Sequence, residues 1–205
     1  MTLNKKRAKK SARRPAKRRV AKKRAVSRRR VARVGKLLAP PAVVLASSAV
    51  PAIGQPWEGQ NGIRIGEFAG ENGKPGYHLL LATELDGKPI VLSSQRWGEY
   101  GKDVTGATSL TDGSANTDAM FVAGCQLAKA ARALGDDCYI PSLCELQAAF
   151  AHARDRLPKE WLWSSTQYSA NGAWGQGFSS GSTDNWRKDD SYRALVVRRV
   201  PIQIQ

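Results

Sequence analysis

Tyr139-Ile140-Pro141-Ser142-Leu143-Cys144-Glu145-Leu146 carries an extended chain into a helix within a few residues. Cys138-Tyr139-Ile140 predicts a short strand. Pro141 interrupts it, and Ser142-x-x-Glu145 is a capping box, in which the serine side chain and the glutamate satisfy two orphan N–H groups of a helix start. Leu143, Leu146, Phe150, Ala153 and Leu157 then form one apolar face. Upstream, Met120, Gly124, Leu127, Ala131 and Leu134 recur at helical spacing, with Asn116 as N-cap and Gly135 as stop, and predict a first helix. Before that, 62–68, 77–83 and 90–93 alternate or run apolar between the turn-forming segments 71–76 and 86–89, which predicts a small β-meander.

Downstream, Trp161-Leu162-Trp163-Ser164-Ser165-Thr166 predicts a buried strand, and Arg193-Ala194-Leu195-Val196-Val197-Arg198-Arg199-Val200 a closing one. Between them, 15 of the 27 residues from 167 to 193 are Ser, Gly, Asn, Tyr or Trp. Such a composition suits a binding loop, because Tyr and Trp give contact area at low entropic cost while Ser, Gly and Asn adapt to a partner. The expectation is an α+β domain with small antiparallel sheets, two helices and a loop-rich C-terminal third. Trp174 and Phe178 are expected to point inward. The expected ligand-binding residues are Tyr168, Asn171, Ser179, Ser180, Asp184, Asn185, Trp186, Lys188 and Tyr192, with Trp186 and Tyr192 as the exposed aromatics.

Charge separates this domain, expected over 53–205, from what precedes it. Of the 33 Lys and Arg residues in the 205-residue chain, 18 lie between Lys5 and Lys36, whereas the first of the 17 acidic residues is Glu58. Residues 58–205 therefore hold 15 basic against 17 acidic residues, a net charge of −2 in a chain of net +16. Residues 1–36 contain no carboxylate and little apolar area to offset the ordering cost of about 1–2 kcal/mol per residue, so they predict a disordered arm when free. Lys5, Lys6, Arg7, Arg13, Arg14, Arg18, Arg19, Lys22, Lys23, Arg28, Arg29 and Arg30 are its candidate phosphate contacts, binding DNA or RNA through counterion release. An acidic protein or an anionic membrane surface is an alternative partner. A third reading, an export signal, rests on Ser27-Arg28-Arg29-Arg30-Val31-Ala32 followed by the apolar residues 37–52. Pro40 and Pro41 interrupt that run, which favours an Ala/Pro-rich spacer and no membrane span.

The order Tyr139-Ile140-Pro141-Ser142-x-x-Glu145-Leu146, the Trp161–Thr166 segment with Gln167-Tyr168, then Ala173-Trp174-x-x-x-Phe178-x-x-Gly181 and the terminal arginine strand resembles a domain family of phages and bacterial surface proteins. The resemblance covers 51–205 and implies a C-type-lectin-like fold of the formylglycine-generating-enzyme kind. That family includes the variable target proteins of diversity-generating retroelements, which implies a display surface between Gln167 and Arg193 for a surface protein or glycan of a host or target cell. The implied location is a virion or a bacterial cell surface. A structural virion or nucleoid protein working through the arm is the alternative.

The enzymatic branch of the fold uses paired cysteines in the C-terminal half of its domain. Here Cys125, Cys138 and Cys144 precede that region, and none lies in 145–205. An odd count without C-x-x-C also argues against a disulfide framework or structural zinc and reads as buried thiols. There is no H-E-x-x-H and no phosphate-binding loop. Asp184, Asn185, Asp189 and Asp190 offer oxygens to calcium, but the lectin motifs for that ion are missing. The expectation is a non-enzymatic binding module without a cofactor.

Overall fold

A computed structural model describes residues 50–71 and 73–203. The basic arm, including its candidate phosphate contacts from Lys5 to Arg30, and spacer residues 37–49 lie outside the described residues. The described elements are, in chain order, β1 (Pro56–Trp57), β2 (Gly62–Phe68), β3 (Tyr77–Ala82), β4 (Val91–Arg96), α1 (Gly113–Val122), α2 (Gln126–Arg132), α3 (Leu143–Ala153), β5 (Trp161–Gln167), β6 (Gly172–Gly177), β7 (Thr183–Arg187), β8 (Ser191–Leu195) and β9 (Val197–Pro201). One sheet has the order β1-β2-β3-β9 and is antiparallel throughout. The other has the order β4-β8-β5-β6-β7, antiparallel except for the parallel pair β5 and β8. The architecture is α+β. None of the described helices is long and apolar enough to cross a membrane.

Successive side chains of a strand face opposite ways, and this alternation makes the centre of the molecule a wall between two cores. Leu162, Leu195 and Val197 join Ile63, Leu79, Tyr139 and Leu146 on one side. Trp163, Ala194 and Val196 join Trp97, Met120, Leu127 and Ile140 on the other. α3 serves the first core through Leu146, Ala149 and Ala153, whereas α1 and α2 serve the second.

Several of the expected helix and strand boundaries and pairings differ in the structure. The β2–β3 hairpin forms, but β4 leaves it for the other sheet, and β3 takes β9 as its second neighbour. All six β3 residues are buried, as suits an interior strand rather than the middle of an exposed meander. The expected closing strand is broken at Val196, where the chain crosses from one sheet to the other. There Val196 N–H donates to Ile90 O at 3.2 Å and its carbonyl accepts from Ala82 N at 3.0 Å. The expected first helix is two helices, because Gly124 adopts φ +84° and ends the first. Its N-cap is Asp112, whose carboxylate accepts from Ala115 N at 3.0 Å, and Asn116 is a buried residue inside it. Tyr139 contributes a single bridge to Val197 rather than a strand.

The C-terminal third also corrects the expectation of loops. Residues 167–193 contain β6 and β7 and the start of β8, and β6 is buried at every position but Trp174. Its glycines are packing residues: a Cβ on Gly175 would lie 2.9 Å from Leu162 O, and one on Gly177 would lie 3.3 Å from the Trp161 ring. A Gly-rich composition here records close approach of neighbours rather than freedom.

Candidate functional site

Two polar assemblies hold the scaffold of the C-terminal surface. In β5 the pairing with β6 skips from Trp163 to Gln167, so residues 164–166 are released from the ladder. Their polar groups tie surrounding elements together instead. Ser164 Oγ donates to Trp174 O at 2.7 Å, Ser165 N to Pro141 O at 2.8 Å, and Thr166 Oγ1 to Ser109 O at 2.9 Å while accepting from Leu143 N at 3.1 Å. Buried Asn116 closes the latch by donating to Ser109 O at 2.7 Å and accepting from Ser109 N at 3.0 Å. The Ser-Ser-Thr run is there because a bulged buried strand needs hydroxyls to satisfy backbone groups that a ladder would otherwise pair.

The second assembly centres on Glu145. Its capping box with Ser142 is formed, as the sequence predicts. The same fully buried carboxylate also gathers donors from across the fold. Oε1 accepts from Tyr77 and Tyr139 hydroxyls, each at 2.8 Å, and from Arg199 Nη2 at 3.0 Å; Oε2 accepts from Ser142 N at 2.8 Å and Gly113 N at 3.1 Å. Arg199 also pairs with Asp112 at 2.8 Å and lies 4.0 Å above the Tyr77 ring centroid. Burial and the neighbouring Glu145 push both tyrosines up, which keeps them protonated as donors.

The expected ligand-binding residues do not form one patch. Tyr168 and Asn171 are exposed in the β5–β6 turn, where Tyr168 packs edge-on against Trp174 at 5.1 Å. Ser179 and Ser180 are exposed in the β6–β7 turn at the other end of β6. A six-residue strand at about 3.3 Å per residue sets these turns roughly 17 Å apart. Asp184 is exposed on β7 and Asn185 is half-buried. Lys188 is a correction: it is fully buried, because Nζ donates to Lys102 O at 2.7 Å and Gln167 Oε1 at 2.6 Å and sits 4.9 Å from the Trp97 ring centroid. Burial lowers its pKa. Trp186 and Tyr192 are half-buried rather than exposed, since both pack on the core around Trp163. Phe178 is buried as expected, whereas Trp174 is half-buried.

Trp186 and Tyr192 belong to an aromatic cluster with Trp161 and Trp163. Trp161 meets Trp186 at 5.3 Å and Tyr192 meets Trp163 at 4.9 Å, both edge-on, while Trp186 and Tyr192 lie 5.9 Å apart. A cavity of about 310 Å³ opens beside this cluster, lined by Ser94, Glu160, Trp161, Ser191, Tyr192 and Arg193. The sequence predicts Trp161 and Trp163 in a buried strand and singles out none of Ser94, Glu160 and Ser191. Trp161 opens its strand and is its one half-exposed residue, and the i, i+2 spacing of Trp161 and Trp163 was the available signal for a shared aromatic face. Tyr100, exposed and covered by the Arg187 guanidinium at 4.4 Å, is a further surface aromatic the sequence did not mark.

Several chemistries meet geometric obstacles. Burial raises the thiol pKa of Cys125, Cys144 and Cys138, the last to about 11 with Asp137 adding to the effect, and all three thiols are free. Gly177-Phe178-Ser179-Ser180-Gly181 matches the G-x-S-x-G spacing of a hydrolase nucleophile, but it joins two strands rather than a strand to a helix. Of the four oxygen sources considered for calcium, Asp189 is taken by Arg187, which donates to it at 3.0 and 2.9 Å. Among the described residues, no three His, Cys, Asp or Glu side chains are grouped to hold a metal ion. No protein-family model matches the chain, and no curated protein matches it.

Proposed function

We propose that residues 53–205 are a non-enzymatic ligand-binding domain of the C-type-lectin-like kind, held at a virion or bacterial surface and recognising a component of another cell's surface. The observation that carries this reading is the half-exposed aromatic cluster with its cavity, set on a latched scaffold, with exposed turns bearing Tyr168 and Asn171 at one end of β6 and Ser179 and Ser180 at the other. Rigid aromatics with small polar neighbours are the side chains of a recognition surface. Two small sheets with flanking helices are compatible with the lectin-like fold. Raised thiol pKa values support a role outside cysteine chemistry.

The test is binding of the full chain to intact bacterial cells, compared with a Tyr168→Ala/Asn171→Ala pair, a Ser179→Ala/Ser180→Ala pair and a Trp186→Ala/Tyr192→Ala pair. Loss of binding by at least one folded variant is expected. Equal binding by all three overturns the assignment of the surface. The 18 cations of residues 1–36 favour a second, compatible activity, anchorage to nucleic acid. A DNA mobility shift that weakens steeply with salt and disappears on deleting 1–36 is expected, and an arm that leaves DNA unshifted at low salt ends that reading.

A further inference from the structure

Two clefts larger than the aromatic cavity, each of about 480 Å³, carry ion-paired side chains. One is bordered by the raised thiol of Cys125, with Lys102 and Glu99 on its rim paired to each other at 3.5 Å. In the other, Arg132 is paired with Asp118, and Arg199 with Asp112 and Glu145. The 310 Å³ cavity sets polar groups with unused hydrogen-bonding capacity against a wall of Trp161 and Tyr192.

That cavity lies where β5 and β8, running parallel, both begin. The pairing of β4 with β8 slips between Leu92 and Gln95, and a bulge of this kind re-aims side chains, which brings Ser94 to the rim opposite Ser191. Neither serine hydroxyl has a hydrogen-bond partner among the described residues. Glu160 and Arg193 form the remaining polar wall, paired at 3.0 Å through one carboxylate oxygen and Nη1, with Arg193 Nε turned to Leu92 O at 3.3 Å. The second carboxylate oxygen and Nη2 stay available. The apolar wall is Trp161, seated against Gly177, together with Tyr192. The neighbouring Trp186 has a buried Nε1 with no acceptor among the described residues.

An aromatic wall facing two hydroxyls, a carboxylate oxygen and a guanidinium N–H matches one chemical class. A pyranose presents a face of C–H groups to a ring and directs its hydroxyls sideways, each able to donate and accept. The ion pair is neutral as a unit, so it suits an uncharged sugar better than an acidic one. The volume is at the low end of the roughly 300–1,000 Å³ of small-molecule sites, enough for one ring. A protein partner would instead need about 800 Å² of matching surface. Building on the ligand-binding reading above, we propose that this cavity is a metal-independent subsite for one neutral pyranose, a hexose or N-acetylhexosamine, of a cell-surface glycan.

The test is an NMR titration of the ¹⁵N-labelled full chain with glucose, galactose, mannose, N-acetylglucosamine and N-acetylgalactosamine in the presence of a chelator. With at least one sugar, the Trp161 and Trp186 indole N–H signals shift and saturate, while that of Trp97, donated to Ser164 O at 2.8 Å, stays in place. Ser94→Ala/Ser191→Ala removes hydroxyls that hold nothing in the fold, and weakens binding by about fivefold or more. Trp161→Ala abolishes binding, and Trp161→Phe, which keeps a ring and serves as the folding control, retains part of it. Failure of every sugar to give a saturable shift overturns the proposal, as does unchanged affinity in the double serine variant. If the full chain then still binds cells in a manner sensitive to Tyr168 and Asn171, the sugar subsite falls and the ligand-binding reading stands. If cell binding is also indifferent to all the surface substitutions, both fall.

Discussion

Replacing Glu145 by Gln keeps the size of the side chain and removes its ability to serve two sets of donors. The carboxylate accepts three side-chain donors on one oxygen and two backbone N–H groups on the other. An amide satisfies one set with its carbonyl and turns its own NH₂ on the other, where the two backbone N–H groups and Arg199 only donate, although a tyrosine hydroxyl can turn to accept. Directed at the tyrosines and Arg199, it leaves Gly113 N and Ser142 N without acceptors, at about 1–3 kcal/mol each. Directed at the backbone, it leaves Arg199 with Asp112, at 2.8 Å, as its remaining carboxylate and with the Tyr139 hydroxyl, which accepts from Nε at 2.8 Å. Breaking a buried ion pair from one side costs about 3–5 kcal/mol, and the surviving Asp112 partner puts Glu145→Gln near 3. At roughly 2–4 °C per kcal/mol for a chain of this size, the expected fall in Tm is about 6–12 °C. Thermal and urea unfolding followed by circular dichroism measure it, with the exposed Glu84→Gln as reference. A loss below about 1 kcal/mol refutes the view that this carboxylate joins β3 and β9 to the starts of α1 and α3. Sugar titration of the folded variant should be unchanged, since none of the Glu145 partners lines the aromatic cavity.

Other consequences are equally direct. Gly175→Ala places a Cβ 2.9 Å from Leu162 O, and is expected to cost about 1–3 kcal/mol in urea unfolding; an unchanged midpoint would show that β6 has room there. Thiol titration of the folded chain at pH 8 should be slow, with half-buried Cys144 reacting ahead of Cys125 and Cys138, and fast for all three in guanidinium; rapid reaction of Cys138 in the native state contradicts its burial. For Asp112, burial works to raise the carboxyl pKa but is outweighed by Ala115 N–H and Arg199, which hold it below the usual value of 3.8. Its contribution to stability is therefore complete above about pH 4 and is lost as pH falls further, so Asp112→Asn should flatten the acid limb of stability against pH. An equally steep limb in the variant removes Asp112 from that account.

Local chemistry was legible in the residues themselves. The Ser142/Glu145 capping box, the β2–β3 hairpin and the β5 strand each depend on neighbours a few residues away or on simple alternation, and each lies where the sequence predicts it. The site was legible only in part. Tyr168, Asn171, Ser179, Ser180 and Asp184 are on the surface, but Lys188 is not, because nothing adjacent to it in sequence announces Lys102 O and Gln167 as acceptors for a buried ammonium. The Gly and Ser content of 167–193 suggested loops, since composition alone does not tell a flexible glycine from one pressed by Leu162 O.

The sequence by itself determined the α+β class, the places of β2, β3, β5 and the start of α3, and that 18 cations stand apart from a nearly neutral remainder. Tertiary structure decided which strands are neighbours, and so which side chains meet. Val196 became the crossing between sheets, Glu145 the acceptor for Tyr77 and Arg199 at 68 and 54 residues' separation, and Ser94 the rim of a cavity walled by Trp161. Capping and alternation are contacts over a few bonds, whose geometry the chain carries with it. The pairing of β3 with β9 and of β8 with β5 is chosen by which arrangement fills two cores at once, and no window of residues contains that information.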